Sequence, residues 1–435
     1  MKRFLKFLFI SIIIVVLAFS VFRFSSQYRM STLKNNISWS VAYKNCNDSV
    51  AFDRDENKNT YIAYENYIKV IKEDGREETL LQDKSLNIEN MIFYNNKLFF
   101  ISKSDLYSYD INTKALKSIL ENIPCEGKYI DRNLIIKDSK LLLSIGSATN
   151  SGVVSYDSNY PLDKIPYDRS SIDIILNGFN YGKKKTGAFM PYGNSSEEGQ
   201  KIKAQDLANA CVVEINLNNN KISLFASGIR NIKGWDIDDK GDLIGIVGGM
   251  ENVGERPVVR DFDYLYKIDK GKWYGWPDFS GGDPINSPRF KGEKLISPLI
   301  ANPPNKIVSA PIYRYSDVGV IRYLAIDKEG KILDKNTKIY FDSKQNIIAS
   351  INSNSVVSDL LKLKDKSKIK GIKYSDGDIY ILDSGLGCIY KLQSNNFNLK
   401  FNLPISIWVF IGMLLLTLIG LSIFKLRSKR VVKKK

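Results

Sequence analysis

Met91-Ile92-Phe93-Tyr94-Asn95-Asn96-Lys97-Leu98-Phe99-Phe100-Ile101 sets two apolar runs on either side of an Asn-Asn pair. Asn tolerates the left-handed backbone of a tight reversal, and short runs rich in aromatic and branched residues favour strands. The stretch therefore predicts a β-hairpin. Leu106-Tyr107-Ser108-Tyr109 adds an alternating outer strand. The same rhythm stands upstream, at Ser49-Val50-Ala51-Phe52, Thr60-Tyr61-Ile62-Ala63-Tyr64 and Tyr67-Ile68-Lys69-Val70-Ile71, closed by a turn at Gly75. It returns at Leu134-Ile135-Ile136 with Leu141-Leu142-Leu143-Ser144-Ile145, and at Trp235-Asp236-Ile237 with Leu243-Ile244-Gly245-Ile246-Val247. A last group runs from Ile369 to Tyr374, through Asp378-Ile379-Tyr380-Ile381-Leu382, to Cys388-Ile389-Tyr390-Lys391-Leu392. Each unit reads as a four-stranded antiparallel blade. Their spacing, about 40–50 residues, predicts an all-β, six-bladed β-propeller over residues 38–394.

Helical periodicity is scarce in that region, and Ser358 to Lys364 is too short to decide. Asp53-Arg54-Asp55-Glu56-Asn57 opens like a calcium loop, but Lys58 takes the turn-glycine position and Tyr64 the closing carboxylate position. It reads as a hairpin turn.

Two apolar runs frame the propeller. Phe7 to Phe22 carries no charge and follows Lys2, Arg3 and Lys6. Residues 1–24 act as a signal anchor or, through Ala18-Phe19-Ser20, as a cleaved signal peptide. Pro404 to Phe424 is uncharged and leads directly into Lys425, Arg427, Lys429, Arg430, Lys433, Lys434 and Lys435. That is the pattern of a transmembrane helix (404–424) with a basic cytoplasmic tail (425–435); residues 25–37 and 395–403 are linkers. Basic clusters at both ends place the propeller outside the plasma membrane. The flanks supply ten of the sixteen net positive charges. The basic balance thus reports membrane topology, and no nucleic-acid partner is implied.

Four cysteines, Cys46, Cys125, Cys211 and Cys388, fit no zinc spacing. Export permits disulfides, and free buried thiols are the alternative.

The sequence contains no histidine. Serine–His and cysteine–His mechanisms are excluded, and no P-loop or dinucleotide fingerprint is present.

From Leu141 to Leu392 the chain resembles the quinoprotein glucose/sorbosone dehydrogenase-like family, in particular its sorbosone branch. Four matches carry the resemblance: Leu142-Leu143-Ser144-Ile145-Gly146-Ser147; Gly187-Ala188-Phe189-Met190-Pro191-Tyr192-Gly193; Gly228-Ile229-Arg230-Asn231; and Asp263-Tyr264-Leu265-Tyr266-Lys267-Ile268 through Trp273-Tyr274-Gly275-Trp276-Pro277. Active members are six-bladed propellers that use pyrroloquinoline quinone (PQQ) and calcium. The resemblance implies that Arg230, Asn231 and the neighbouring Lys233 face the cofactor, where a guanidinium fork suits quinone carboxylates. It also implies that backbone carbonyls of Gly248 and Gly249 approach calcium.

The departures converge on lost chemistry. The family's histidine base should fall near Tyr129-Ile130-Asp131-Arg132. A His-Ser pair expected after Pro303-Pro304 reads Tyr315-Ser316, an Arg-Asp pair reads Lys370-Gly371, and Lys233 replaces Gln or Gly. A tyrosine, with a pKa of about 10, is a poor base at neutral pH. Asp131 is the one candidate base left, and at about 4 it would need an apolar setting. The expectation is an extracytoplasmic binding or scaffolding domain, with no cofactor, for a carbohydrate, a cell-wall polymer or a membrane-protein partner. The alternatives are a PQQ- and calcium-dependent sugar or aldehyde oxidoreductase with a non-His base, and a hydrolase or lyase built on carboxylates among Asp131, Glu251 and Asp261.

Overall fold

The computed structural model describes residues 30–293 and 295–394, with isolated positions at 10, 13, 14, 17, 28, 412 and 413. The runs 7–22 and 404–424, read above as membrane segments, and the tail 425–435 lie outside the described residues apart from those positions. Among the described residues no helix is long and apolar enough to cross a membrane.

Residues 31–394 form one compact unit, a six-bladed β-propeller. Blade 1 holds Ala51–Arg54, Thr60–Ala63, Tyr67–Ile71 and Glu77–Gln82. Blade 2 holds Ile88–Tyr94, Lys97–Ser102, Asp105–Asp110 and Leu116–Leu120. Blade 3 is Tyr129–Lys137, Lys140–Ser147, Cys211–Ile215 and Ile222–Ser227; blade 4 is Ile232–Ile237, Leu243–Val247, Tyr264–Lys267 and Tyr313–Arg314. Blade 5 runs Ile321–Asp327, Thr337–Asp342, Ile347–Ile351 and Val357–Lys362, with the short strand Ser31–Thr32 added at its outer edge. The stretch from Ser358 that periodicity left undecided is thus an outer strand. The first strand of every blade touches that of the next, so the ring is closed.

Closure is made by the two ends of the unit. Blade 6 takes Ile369–Ser375, Asp378–Asp383 and Cys388–Ser394 from the C-terminal side, and its outer strand, Ile37–Lys44, from the N-terminal side. Pairing Ile37–Lys44 with the last strand removes the open seam that an unclosed ring would expose.

Cores lie between blades. Ile68, Met91 and Phe100 pack between blades 1 and 2, Leu106, Leu143 and Val213 between 2 and 3, and Ile246, Leu324 and Tyr340 between 4 and 5. A separate cluster, with Val153, Leu176, Phe189, Met250, Trp273 and Trp276, holds together the long insertions of blades 3 and 4. The inner hairpins of blades 2 to 6 each carry a β-bulge at their start. The unmatched residues there include Glu89, Asp131, Lys233, Tyr323 and Lys370. A bulge adds twist and re-aims the side chain it carries, so the ring repeats one polar position around its axis.

Candidate functional site

Two of those bulges, in blades 3 and 4, bring residues singled out in the sequence together, and the bulge of blade 5 adds Arg322 beside them. Asn231 donates from Nδ2 to Asp131 Oδ2 at 2.7 Å, and Arg322 places its guanidinium 4.0 Å from Asp131 Oδ1. Asp131 is 39% exposed at the side chain. Its setting is open and polar, not the apolar one a carboxylate base requires. The second oxygen-bearing group of this pair, Asn231 Oδ1, is buried and unpartnered.

Arg230 is 3% exposed, and its fork is directed into the protein. Nε donates to the Asn150 carbonyl at 2.9 Å, one terminal nitrogen to Asn150 Oδ1 at 3.0 Å, and the other to the Gly248 carbonyl at 3.4 Å. Its flat face lies over the Tyr129 ring, 3.8 Å from the centroid. Burial pulls its pKa down, and Tyr129, Glu251, Asp261 and Asp263 oppose that pull. Asn150 extends the clamp by donating to the carbonyls of Glu251 (2.7 Å) and Val253 (3.1 Å).

The Gly248 and Gly249 segment is equally engaged. Gly248 N–H donates to the Asn231 carbonyl at 2.9 Å, and Gly249 N–H to Asp263 Oδ1 at 3.3 Å. The Lys233 stem packs on Gly248, where a side-chain methyl would sit 2.7 Å from Cε. Lys233 Nζ stands 3.8 Å from Asp263 Oδ1, with 5% of the side chain exposed. Burial lowers its pKa, and Asp263 counteracts this. Asp263 itself is fully buried and accepts from the N–H groups of Gly319, Val320 and Ile321 at 2.8–3.1 Å.

Glu251 closes the group. Its Oε2 accepts from the Tyr129 hydroxyl at 3.0 Å and lies 3.5 Å from Lys128 Nζ. Burial raises the Tyr129 pKa. Asp261 is spent elsewhere: it accepts from Met250 N–H at 2.6 Å and the Tyr264 hydroxyl at 2.5 Å, and burial raises its pKa. Asp131, Glu251 and Asp261 therefore do not all face one point. Among the described residues no group of three or more His, Cys, Asp or Glu side chains is placed to hold a metal.

Beside Tyr129 and Asn150 opens a cavity of about 260 Å³, also lined by Lys128, Thr149, Tyr156 and Tyr160. Tyr156 is 60% exposed. Sequence reasoning missed Asn150, Asp263, Gly319 and Arg322 as parts of this centre. The turn residues Thr149-Asn150-Ser151-Gly152 and the motif opened by Asp263 carried a local signal; Gly319 and Arg322 join the centre through the packing of blade 5 on blade 4.

The class defined by this architecture is the six-bladed propeller with long insertions over two neighbouring blades. Among solved structures it is similar to the PQQ domain of pyranose dehydrogenase from Coprinopsis cinerea, at 11% identity and a TM-score of 0.56, covering 84% of this chain and 97% of that one. It is similar to a Trichoderma reesei carbohydrate-active enzyme of family AA12, in a calcium structure, at 12% identity and 0.56, covering 84% and 98%. The PQQ-bound aldose sugar dehydrogenase from Streptomyces coelicolor matches at 12% and 0.51, covering 83% and 99%. Likeness at such identities establishes a shared fold. No protein-family model matches the sequence, and no curated protein does.

Proposed function

We propose that this chain is a membrane-tethered, outward-facing binding domain that keeps the propeller of the sugar dehydrogenases without their quinone-dependent oxidation. The observation that carries the reading is the use made of Arg230. Three of its five N–H donors go to Asn150 and Gly248, its face lies on Tyr129 and the side chain is buried, so the guanidinium is held as an internal clamp and turned away from an entering quinone carboxylate. The residues present do not fit a calcium-held quinone. The Gly248 carbonyl already faces the Arg230 cation, and Lys233 adds a second positive charge beside it. Calcium asks instead for six to eight oxygen ligands. With no histidine in the chain and Asp131 exposed, a base for hydroxyl oxidation is also wanting.

The ligand side of the reading rests on the cavity. Tyr156 and Tyr160 offer flat apolar faces with hydroxyl groups, beside the edge of Tyr129 and the Lys128 ammonium. Such walls suit a carbohydrate or an anionic wall polymer. Tethering rests on the apolar runs 7–22 and 404–424 and their basic flanks. The loop Gly187 to Gly193 and the Trp273 to Pro277 segment keep the sorbosone branch as the parent of this reading.

The test is calorimetric titration of the detergent-solubilised full chain with PQQ plus calcium, then aldoses with an artificial acceptor dye. Expected are no quinone heat and no dye reduction, with heat on addition of wall oligosaccharides. Dye reduction that depends on both PQQ and calcium would sink the proposal in favour of an oxidoreductase.

A further inference from the structure

The Lys233 amine and the Glu251 carboxylate look onto one vacant point. Position 319 is glycine at φ +81°, and a methyl built there would have two atoms within 4 Å: Glu251 Oε1 at 3.7 Å and Lys233 Nζ at 4.0 Å. Any other residue would fill that space. Gly319 itself is half-buried.

The nearest counter-charge of Lys233 Nζ is Asp263 Oδ1 at 3.8 Å, beyond hydrogen-bond length. That carboxylate is already met by the backbone N–H groups of Gly249, Gly319, Val320 and Ile321. Arg230, Arg322 and Asp131 supply the remaining nearby charge. Across the gap, Glu251 uses Oε2 on the Tyr129 hydroxyl, which leaves Oε1 turned toward the point.

A largely buried amine and a carboxylate oxygen that both lie within 4.0 Å of one point beside Gly319 can meet a small carbonyl compound there and condense with it. We propose that Lys233 captures a small aldehyde as an imine, with Glu251 carrying the protons. Glu251, directly or through one water, takes a proton from the ammonium. The freed nitrogen lone pair attacks the carbonyl carbon, the C=O pair moves to oxygen, and that oxygen receives the proton from Glu251. A proton on nitrogen then returns through Glu251 to the new hydroxyl, the C–O bond breaks, and water leaves as the C=N bond forms. Ammonium and aldehyde become iminium and water, with no net change of protons and nothing oxidised or reduced.

The inference rests on the reading that the centre is open to ligand and not filled by quinone. It is tested on the full chain in detergent with glyceraldehyde and sodium cyanoborohydride, followed by peptide mass mapping. The expected result is a reduced adduct on the Lys233 peptide at about tenfold the occupancy of the exposed Lys84 and Lys201. Lys233→Gln removes that adduct and leaves the others. Occupancy at Lys233 equal to or below the exposed lysines overturns the proposal, and the wild-type map decides even if the variant fails to fold. Quinone binding beside a labelled Lys233 would refute the proposed function alone; an unlabelled Lys233 without quinone binding would refute this inference alone.

Discussion

The centre of the Arg230 guanidinium lies 3.8 Å from the centroid of the Tyr129 ring, and the Tyr129 hydroxyl in turn donates to Glu251. Tyr129 opens the inner strand of blade 3, and Arg230 stands just before that of blade 4. The stack therefore joins two blades through a cation, a ring and a carboxylate. Arg230→Ala would leave the Asn150 carbonyl, Asn150 Oδ1 and the Gly248 carbonyl without this donor. The expected cost is roughly 3 kcal/mol, read from the denaturant midpoint. Tyr129→Phe keeps the stack, loses one hydrogen bond and should cost about 1 kcal/mol. Equal costs for the two variants would rule out the guanidinium as the clamp.

Asp168 gives a pH signature. It is wholly buried beneath Ala148 and Thr149, and burial raises its pKa to about 6 against the pull of the Thr149 hydroxyl and two N–H groups. The unfolded carboxyl titrates near its ordinary value of 3.8. Between those values the native state holds a proton that the unfolded state has lost. This group's contribution to stability is therefore present at low pH and falls as pH rises from about 4 through 6. Asp168→Asn has no such proton to lose. It should gain on the wild type by up to roughly 3 kcal/mol across that window, measured by urea unfolding at pH 4 and pH 7. A difference that stays flat would show that Asp168 keeps its ordinary titration.

The blades were legible because strand and turn chemistry is local. The Asn95-Asn96 turn and its flanking apolar runs need nothing distant to form a hairpin, and both asparagines take positive φ as expected. The closing strand was not legible. Ile37–Lys44 (ISWSVAYK) alternates like any half-exposed strand, and its partner lies more than three hundred residues away. The site was legible only as separate words. Arg230 and Asn231 stood in a recognisable string, but the direction of the Arg230 fork depends on Asn150, eighty positions upstream. The bulges that re-aim Asp131, Lys233 and Lys370 leave no sequence mark, since one unmatched residue does not disturb an apolar run.

The thiols offer a direct check on the packing. All four cysteines are free: Cys46, Cys211 and Cys388 are buried, and Cys125 is exposed. Burial pushes the Cys46 thiol up to about 11 and those of Cys211 and Cys388 to about 12. An aromatic disulfide reagent at pH 8 should therefore find one reactive thiol in the folded chain and the other three only after denaturation. Fewer than four thiols in denatured, unreduced protein would reveal a disulfide and contradict this arrangement.

Ring closure makes the strongest demand on the fold. Ile37–Lys44 pairs along its length with Cys388–Ser394, and Trp39 meets the Tyr390 ring edge-on at 5.8 Å. Without that strand, Cys388–Ser394 becomes an unpaired edge carrying the apolar side chains of Ile389, Tyr390 and Leu392. A chain beginning at residue 45 should melt at least about 10 °C lower and aggregate on heating. Adding a peptide of residues 31–44 should restore part of the loss, because strand addition needs only a free edge and a matching register. Trp39→Ala in the intact chain should cost about 1 kcal/mol, the scale of one aromatic pair. If the shortened chain melted like the full one, the seam would have to be held by blade-to-blade packing alone, and the pairing of Ile37–Lys44 with the last strand would be a consequence of closure instead of its cause.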